Sequence, residues 1–299
     1  MVSSLKKIIF SRCQRLNNKP VKPDFFQDRQ LSEVLHREGY CVVDLIKDRE
    51  VAQLKSLFSL YYVNKDKFEG SFFGIISKKV SEEIFKILAP SLNKMLINYK
   101  IAVSVFAVKT PGRTGKVRVH QDGVITDETK HTNITIWIPL QSIDDTNSPL
   151  YIIPRSHHLF DPLRTSSIEI FDENLESLMQ PYFQPLYIQV GKALLFDSRL
   201  FHFSPPNLSG RNRVNVILRI CSSKASIMAN HKKNGNQNAP TEIWECPDDY
   251  WMYDENHLDH TRPEKCRLVK VKKSNPQFTV GQFQKLLRDL EISPAVNKS

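Results

Sequence analysis

The chain has 299 residues, 40% of them hydrophobic, 25% charged and 10% aromatic, a globular balance with room for one large core. No apolar run approaches the roughly 20 residues that cross a bilayer, so no membrane-spanning helix is expected. Net charge is +10, from 42 Lys and Arg against 32 Asp and Glu. That balance favours anionic ligands, yet outside 6–22 and 262–273 the basic residues are scattered and carry no nucleic-acid-binding signature.

The N-terminal stretch MVSSLKKIIFSRCQRLNNKP is basic and free of acids. Its apolar IIF is too short for a secretory signal core, so residues 1–22 read as a solvated basic arm. Cysteines at 13, 41, 221, 246 and 266 form no CxxC and no close cluster. An odd count without a secretory signal predicts reduced thiols in a cytoplasm rather than a disulfide framework. Residues 23–299 are expected to form one domain, with a β core at about 101–221 and a C-terminal extension at 222–299.

Three helices are expected before residue 100. RQLSEVLHREG stops at its glycine. DREVAQLKSLFSLYY places Val51, Leu54, Leu57, Phe58 and Tyr61 on one face. SEEIFKILAPSLNKMLINY starts from Ser81 as a cap and is interrupted at Pro90. Between the first two, GYCVVDLI reads as a short strand. From about 101 the pattern turns to strands: IAVSVFAVK, TNITIWIPL, LYIIP, LYIQV, KALLFD, LFHFS and RVNVILRI, punctuated by Gly, Pro, Asn and Asp. Strands that follow helices in this way indicate an α+β class with a mainly β core, a sandwich or barrel flanked by N- and C-terminal helices. The stretch 157–185 is long for a connection and is a candidate lid or substrate loop. After 221 the pattern loosens, with NHKKNGNQNAP as a polar loop. A last helix is announced by a capping box of Thr279 and Gln282 ahead of Phe283, Leu286, Leu287 and Leu290.

The chemistry-bearing stretch is VRVHQDGVITD. His120 and Asp122, two apart in a strand, project from one face. A nitrogen and an oxygen donor side by side are two-thirds of a facial metal site, and a third ligand on a neighbouring strand leaves positions open for a co-substrate and O2 on Fe(II). His202 lies in a strand-like run with Ser204 on its face, and Arg213 opens the next strand. A metal-binding histidine with an arginine one hairpin later suits a metal plus a dicarboxylate, which a guanidinium grips bidentately. Arg211, of the same parity as Arg213, is its rival. His157 and His158 follow IPRS and read as turn histidines. HLDH at 257–260 repeats the letters without a following His and Arg pair, and reads as a solvated loop. No P-loop, dinucleotide fingerprint, serine elbow or zinc-finger spacing competes.

HQD, then WIPL, then NSPLYIIPRSH, then HFSPPNLSGRNR resembles the phytanoyl-CoA dioxygenase family over roughly 101–220, with a looser likeness at 29–60. The resemblance implies a double-stranded β-helix, or jelly roll, and an Fe(II)- and 2-oxoglutarate-dependent oxygenase that consumes O2. It implies His120, Asp122 and His202 as iron ligands. It implies Arg213, eleven residues after His202, as the partner of the distal carboxylate of 2-oxoglutarate, helped by Ser204, with Trp137 lining the pocket. Arg155 departs from the family's glycine in IPGSH, a change of turn geometry rather than of ligands. The expected reaction is hydroxylation of an unactivated C–H bond. Arg113, Lys116, Arg118 and Lys130 flank the HQD strand and suggest a small anionic or amino-acid-like substrate or a natural-product intermediate. The alternatives are an oxygenase acting on a protein or nucleic acid, and a catalytically silent jelly-roll binding module.

Overall fold

Asp28 starts the first helix by accepting from Gln30 N at 2.7 Å, and Gly39 ends α1 (Arg29–Glu38) at φ 82°. Both backbone and space require that glycine. A Cβ there would fall 2.5 Å from His157 Nδ1 and 2.7 Å from Leu200 Cδ1. The computed structural model describes residues 20–62, 72–165, 171, 173–236, 239–253, 262–273 and 278–295. Most of the basic arm and the HLDH stretch at 257–260 lie outside the described residues.

In chain order there follow β1 (Tyr40–Asp44), α2 (Asp48–Tyr61), β2 (Phe72–Ile75), α3 (Lys78–Met95), β3 (Tyr99–Lys109), β4 (Val117–His120) and β5 (Asn133–Pro139). Next come β6 (Leu150–Ile152), α4 (Glu173–Met179), β7 (Gln184–Leu186), β8 (Lys192–Asp197), β9 (His202–Ser204) and β10 (Arg213–Ser222). The chain ends with β11 (Ile227–Lys232), β12 (Thr241–Cys246), β13 (Arg267–Lys272) and α5 (Val280–Asp289).

The third helix departs from its expected start. Ser77 is the cap, accepting from Val80 N, and α3 runs through Pro90. Ser81 instead accepts from Ser104 N at 2.8 Å, which ties α3 to β3. The Thr279 and Gln282 capping box forms as expected at α5. The strand expected over LYIQV sits earlier, as β7.

The strands make a six-stranded sheet, order β1-β8-β5-β10-β3-β2, and a four-stranded sheet, order β4-β9-β6-β7. All the strand pairings in both are antiparallel. Alternation along β10 and β5 sends Val214, Val216, Leu218, Ile220, Ile134, Ile136 and Ile138 outward against α1–α3 in one core. Each such side chain contributes about 1.5–3 kcal/mol on burial. The opposite face of the same strands closes over the smaller sheet, where Trp137, Leu194 and Phe196 meet Leu150 and Ile152. The double-stranded β-helix architecture of the α+β class is therefore present.

Two regions correct their expectations. The segment at 157–185 is packed rather than lid-like where it is described: Leu159, Phe171, Leu175, Met179 and Phe183 share a core with Phe201 and with Phe283, Leu286 and Leu287 of α5. The loosened pattern after 221 hides a third sheet, order β11-β12-β13; of the expected polar loop NHKKNGNQNAP, residues 230–232 end β11 and the other described residues connect it to β12. Its Ile227, Ala229 and Trp244, with Tyr250 and Trp251 in the turn after β12, pack on Ala102, Val103 and Ile125. Cys246 and Cys266 are disulfide-bonded, their Cα atoms 4.5 Å apart, which overturns the expectation of reduced thiols for that pair. Cys41 and Cys221 are free.

Candidate metal centre

The centre forms where β4 meets β9, with His120 directly opposite His202 in the ladder. That register brings the two ring centroids to 4.1 Å. Asp122 lies just past the end of β4, held by its N–H donating to Ser198 O at 2.8 Å. Gln121 between them turns the other way and donates to Leu159 O at 2.8 Å, so the expected alternation persists beyond the strand end.

Each imidazole is oriented by its own backbone. His120 Nδ1 is 2.8 Å from Arg118 O and His202 Nδ1 is 2.9 Å from Leu200 O. A carbonyl only accepts, so each Nδ1 carries the proton and each Nε2 is left with its lone pair. Those two Nε2 atoms lie 3.7 and 3.6 Å from the same oxygen, Asp122 Oδ1. The other carboxylate oxygen, Oδ2, accepts from Thr135 Oγ1 at 2.6 Å. Three donor atoms within 4.8 Å of one another thus face one point.

Electrostatics put His120 and Asp122 in ligand form. Burial, followed by the neighbouring His202, pushes His120 down to about 3, so it is neutral at ordinary pH. Burial alone would raise the Asp122 carboxyl; Arg219, the two imidazoles and the Thr135 hydroxyl bring it down to about 2, so it is ionised. Neutral nitrogens with an ionised carboxylate are the donor set that a divalent transition metal requires. Outer partners that fix ligand orientation, here two carbonyls and Thr135, are the usual support of such a set.

The other expected residues gather along the inner face. Arg213 is 2% exposed, with Nη1 3.2 Å from Ser148 Oγ. With its amide oxygen turned toward the guanidinium, Asn215 accepts from Arg213 Nη2 and Nε at 3.2 and 3.0 Å. The guanidinium carbon of Arg213 lies 5.6 Å from the centre of the Trp137 ring. Ser204 is buried on the same side, with Lys109 Nζ donating to its Oγ at 2.6 Å. Arg211, the rival, is exposed. His157 is buried away from the centre, with Nε2 3.0 Å from His36 O.

Arg155 occupies the glycine-like turn at φ 65°. Its side chain spans to Glu38 Oε2 at 2.9 Å and to Leu290 O at 3.0 Å, joining the end of α1 to the end of α5. At the rim, Arg118 pairs with Glu176 at 2.6 Å and Lys130 with Asp127 at 3.0 Å, while Arg113 and Lys116 are exposed.

Lys109, Thr135, Ser148, Asn215 and Arg219 were not singled out from sequence. Asn215 and Arg219 share the parity of Arg213, the one signal that could have found them. Arg219 Nη2 donates to Gly123 O, and its Nε is buried without a partner among the described residues.

The phytanoyl-CoA dioxygenase (PhyH) profile matches residues 35–215. Among solved structures, the chain is similar to the non-heme alpha ketoglutarate dependent epimerase SnoN from nogalamycin biosynthesis. That match has 16% identity and a TM-score of 0.52, over 66% of this chain and 84% of that one. It is also similar to HygX from Streptomyces hygroscopicus, solved with nickel, 2-oxoglutarate and hygromycin B bound. There identity is 14% and the TM-score 0.50, over 66% of this chain and 88% of that one. A comparison with curated proteins returns no match. At these identities the structures speak for the shared fold, and the profile match speaks for the lineage. The chain belongs to the phytanoyl-CoA dioxygenase family of enzymes, which work with Fe(II), 2-oxoglutarate and O2.

Proposed function

We propose that this enzyme hydroxylates an unactivated C–H bond of a small anionic or amino-acid-like molecule, with His120, Asp122 and His202 holding Fe(II). The observation that carries this reading is the convergence of both Nε2 lone pairs and one carboxylate oxygen on one point, with every other polar atom of the three side chains already engaged. Bound there, Fe(II) supplies the O2 activation, coupled to oxidative decarboxylation of 2-oxoglutarate to succinate, that C–H oxidation needs. The chain's own residues do the placing. Arg213, backed by Asn215 and flanked by Trp137, is suited to grip the distal carboxylate of 2-oxoglutarate bidentately. Thr135 holds Asp122 in one orientation. Phe196, its ring 4.9 Å from that of His202, and Ile152, opposite His202 in the ladder, give the centre an apolar wall.

The substrate class rests on Arg219. It pairs across the sheet with Thr135, at the level of Asp122, whereas Arg213 lies six residues back on the same face. At about 3.3 Å per residue their Cα atoms lie roughly 20 Å apart along the strand, Arg219 at the level of the triad and Arg213 back from it. Arg213 suits the co-substrate, and Arg219 is placed to attract an acidic substrate. Two residues beyond Asp122, Val124 lines a cavity of about 270 Å³ with Asp127, Glu128, Lys130, Lys270 and Lys272, a size and a mixed charge that suit a small amino-acid-like molecule. A cytoplasmic location is part of the proposal: Cys41 and Cys221 are free thiols, and one cross-link does not make a disulfide framework.

The test is succinate release from 2-oxoglutarate by the Fe(II) enzyme in air, across acids, zwitterions, neutral compounds, peptides and methylated oligonucleotides. Stimulation by a subset of the acids or zwitterions, with a hydroxylated product, is expected. Stimulation by neutral or cationic compounds alone would overturn the substrate class, and stimulation by a polymer alone would move the reading to a macromolecular substrate.

A further inference from the structure

Lys109 is the last residue of β3, and the ladder places it directly opposite Arg213, the first residue of β10. Both side chains reach the same inner pocket, and both residues are buried. Lys109 Nζ is 2.6 Å from Ser204 Oγ, 3.0 Å from Ser148 Oγ, 2.7 Å from Pro205 O and 3.3 Å from Ser204 O. Arg213 Nη1 reaches the same Ser148 Oγ at 3.2 Å. Two cations therefore share one serine and stand beside a second.

We propose that Lys109 is a positioning residue of the 2-oxoglutarate pocket: it donates to Ser204 Oγ, commits that hydroxyl to donate onward, and with Arg213 makes a two-cation seat for the distal carboxylate. The inference rests on reading this pocket as the 2-oxoglutarate site.

The hydrogen-bond chemistry carries it. An ammonium has three donors and no acceptor, so Ser204 Oγ must accept from Lys109 and keeps its own proton to give elsewhere. Ser148 Oγ accepts from both cations, and its own proton goes to Pro205 O. Ser204 is thus the hydroxyl of the pair whose donor is left for a ligand. A carboxylate, an acceptor only, matches Ser204 and Arg213 together. Burial, then the neighbouring Arg213, pushes Lys109 down to about 6, so at neutral pH its ammonium needs an anion beside it; burial pushes Arg213 down to about 9. An incoming carboxylate supplies that anion and makes the ammonium, with its three donors, the form that completes the seat. No single strand carries this signal: a lysine ending an apolar strand becomes meaningful only through the register that sets it against Arg213.

The experiment is calorimetric binding of two keto acids to the Fe(II) enzyme under argon: 2-oxoglutarate, and 2-oxovalerate, which has the same chain length but no distal carboxylate. The wild type should prefer 2-oxoglutarate. In Lys109→Met, affinity for 2-oxoglutarate should fall on the order of 10- to 100-fold, the worth of one charge-assisted contact, with 2-oxovalerate little changed. Lys109→Arg should restore most of the preference. Adding Ser204→Ala to Lys109→Met should cost little more than Lys109→Met alone, because the serine acts with the lysine. If Lys109→Met does not fold, Lys109→Gln carries the same prediction. Equal loss for both keto acids would reduce Lys109 to a structural tie between β3 and the 204–205 turn and overturn the inference, as would no loss for either. A wild type that does not distinguish the two acids would instead sink the reading of the pocket itself.

Discussion

Along β10 the two faces do different work. Outward, Val214, Val216, Leu218 and Ile220 are packed against helices by contacts that have no direction. Inward, Arg213 and Asn215 are buried and Arg219 is partly buried, among polar partners whose atoms must meet at hydrogen-bond distances. The same ladder supports both, so a step of one residue along the strand moves from what keeps the sheet folded to what lines the proposed metal and 2-oxoglutarate sites. The teaching is that stability and chemistry here are separable by strand parity, and substitutions can test that separation.

The largest effect should come from the inner side. Asp122→Ala is expected to fold but to lose succinate formation by more than about 100-fold, beyond what losing an outer partner of a metal site does. Leu218→Ala, one face away, should do the reverse. It should cost about 2–5 kcal/mol in urea unfolding while the surviving folded protein keeps its affinity for Fe(II). Near-normal turnover in the first variant, or lost iron affinity in the second, would break the separation.

A third effect lies outside both faces. Burial, opposed by Asp197, pushes His157 down to about 4, below its usual 6.5. The unfolded chain therefore binds the proton more readily between those values. Its contribution is complete above pH 6.5 and is lost as pH falls toward 4, about 3 kcal/mol in all at 1.36 kcal/mol per unit. Urea midpoints should decline over that window, and less so in His157→Gln; identical slopes would contradict the assignment. Smallest is Arg155→Gly. Relief of a left-handed non-glycine backbone, worth about 1 kcal/mol, is set against loss of the half-exposed tie to Glu38 and Leu290, worth about as much. The net change in melting should be slight, with iron binding unmoved.

What was legible in the sequence follows the same parity. Ile134, Ile136 and Ile138 against Thr135 and Trp137 announced both faces of β5, and the His-x-Asp spacing put His120 and Asp122 on one side. Arg213 was separable from Arg211 by its distance from His202, and its burial agrees. Lys109 and Ser148 were not legible, because their placement beside Arg213 arises from register between strands far apart in the chain. Ser81 misled as a cap because its hydroxyl serves β3 instead. The third sheet escaped although Val269, Lys270, Val271 and Lys272 alternate, because β13 is exposed along its whole length and so carries no buried face to mark it.

The most direct test of the central claim is an anaerobic titration of the Fe(II) enzyme with 2-oxoglutarate, followed by visible absorption. The account predicts a weak charge-transfer band that saturates at one 2-oxoglutarate per chain and is absent from Asp122→Ala and His202→Ala. A wild type without the band, or a band that persists in both variants, would contradict it.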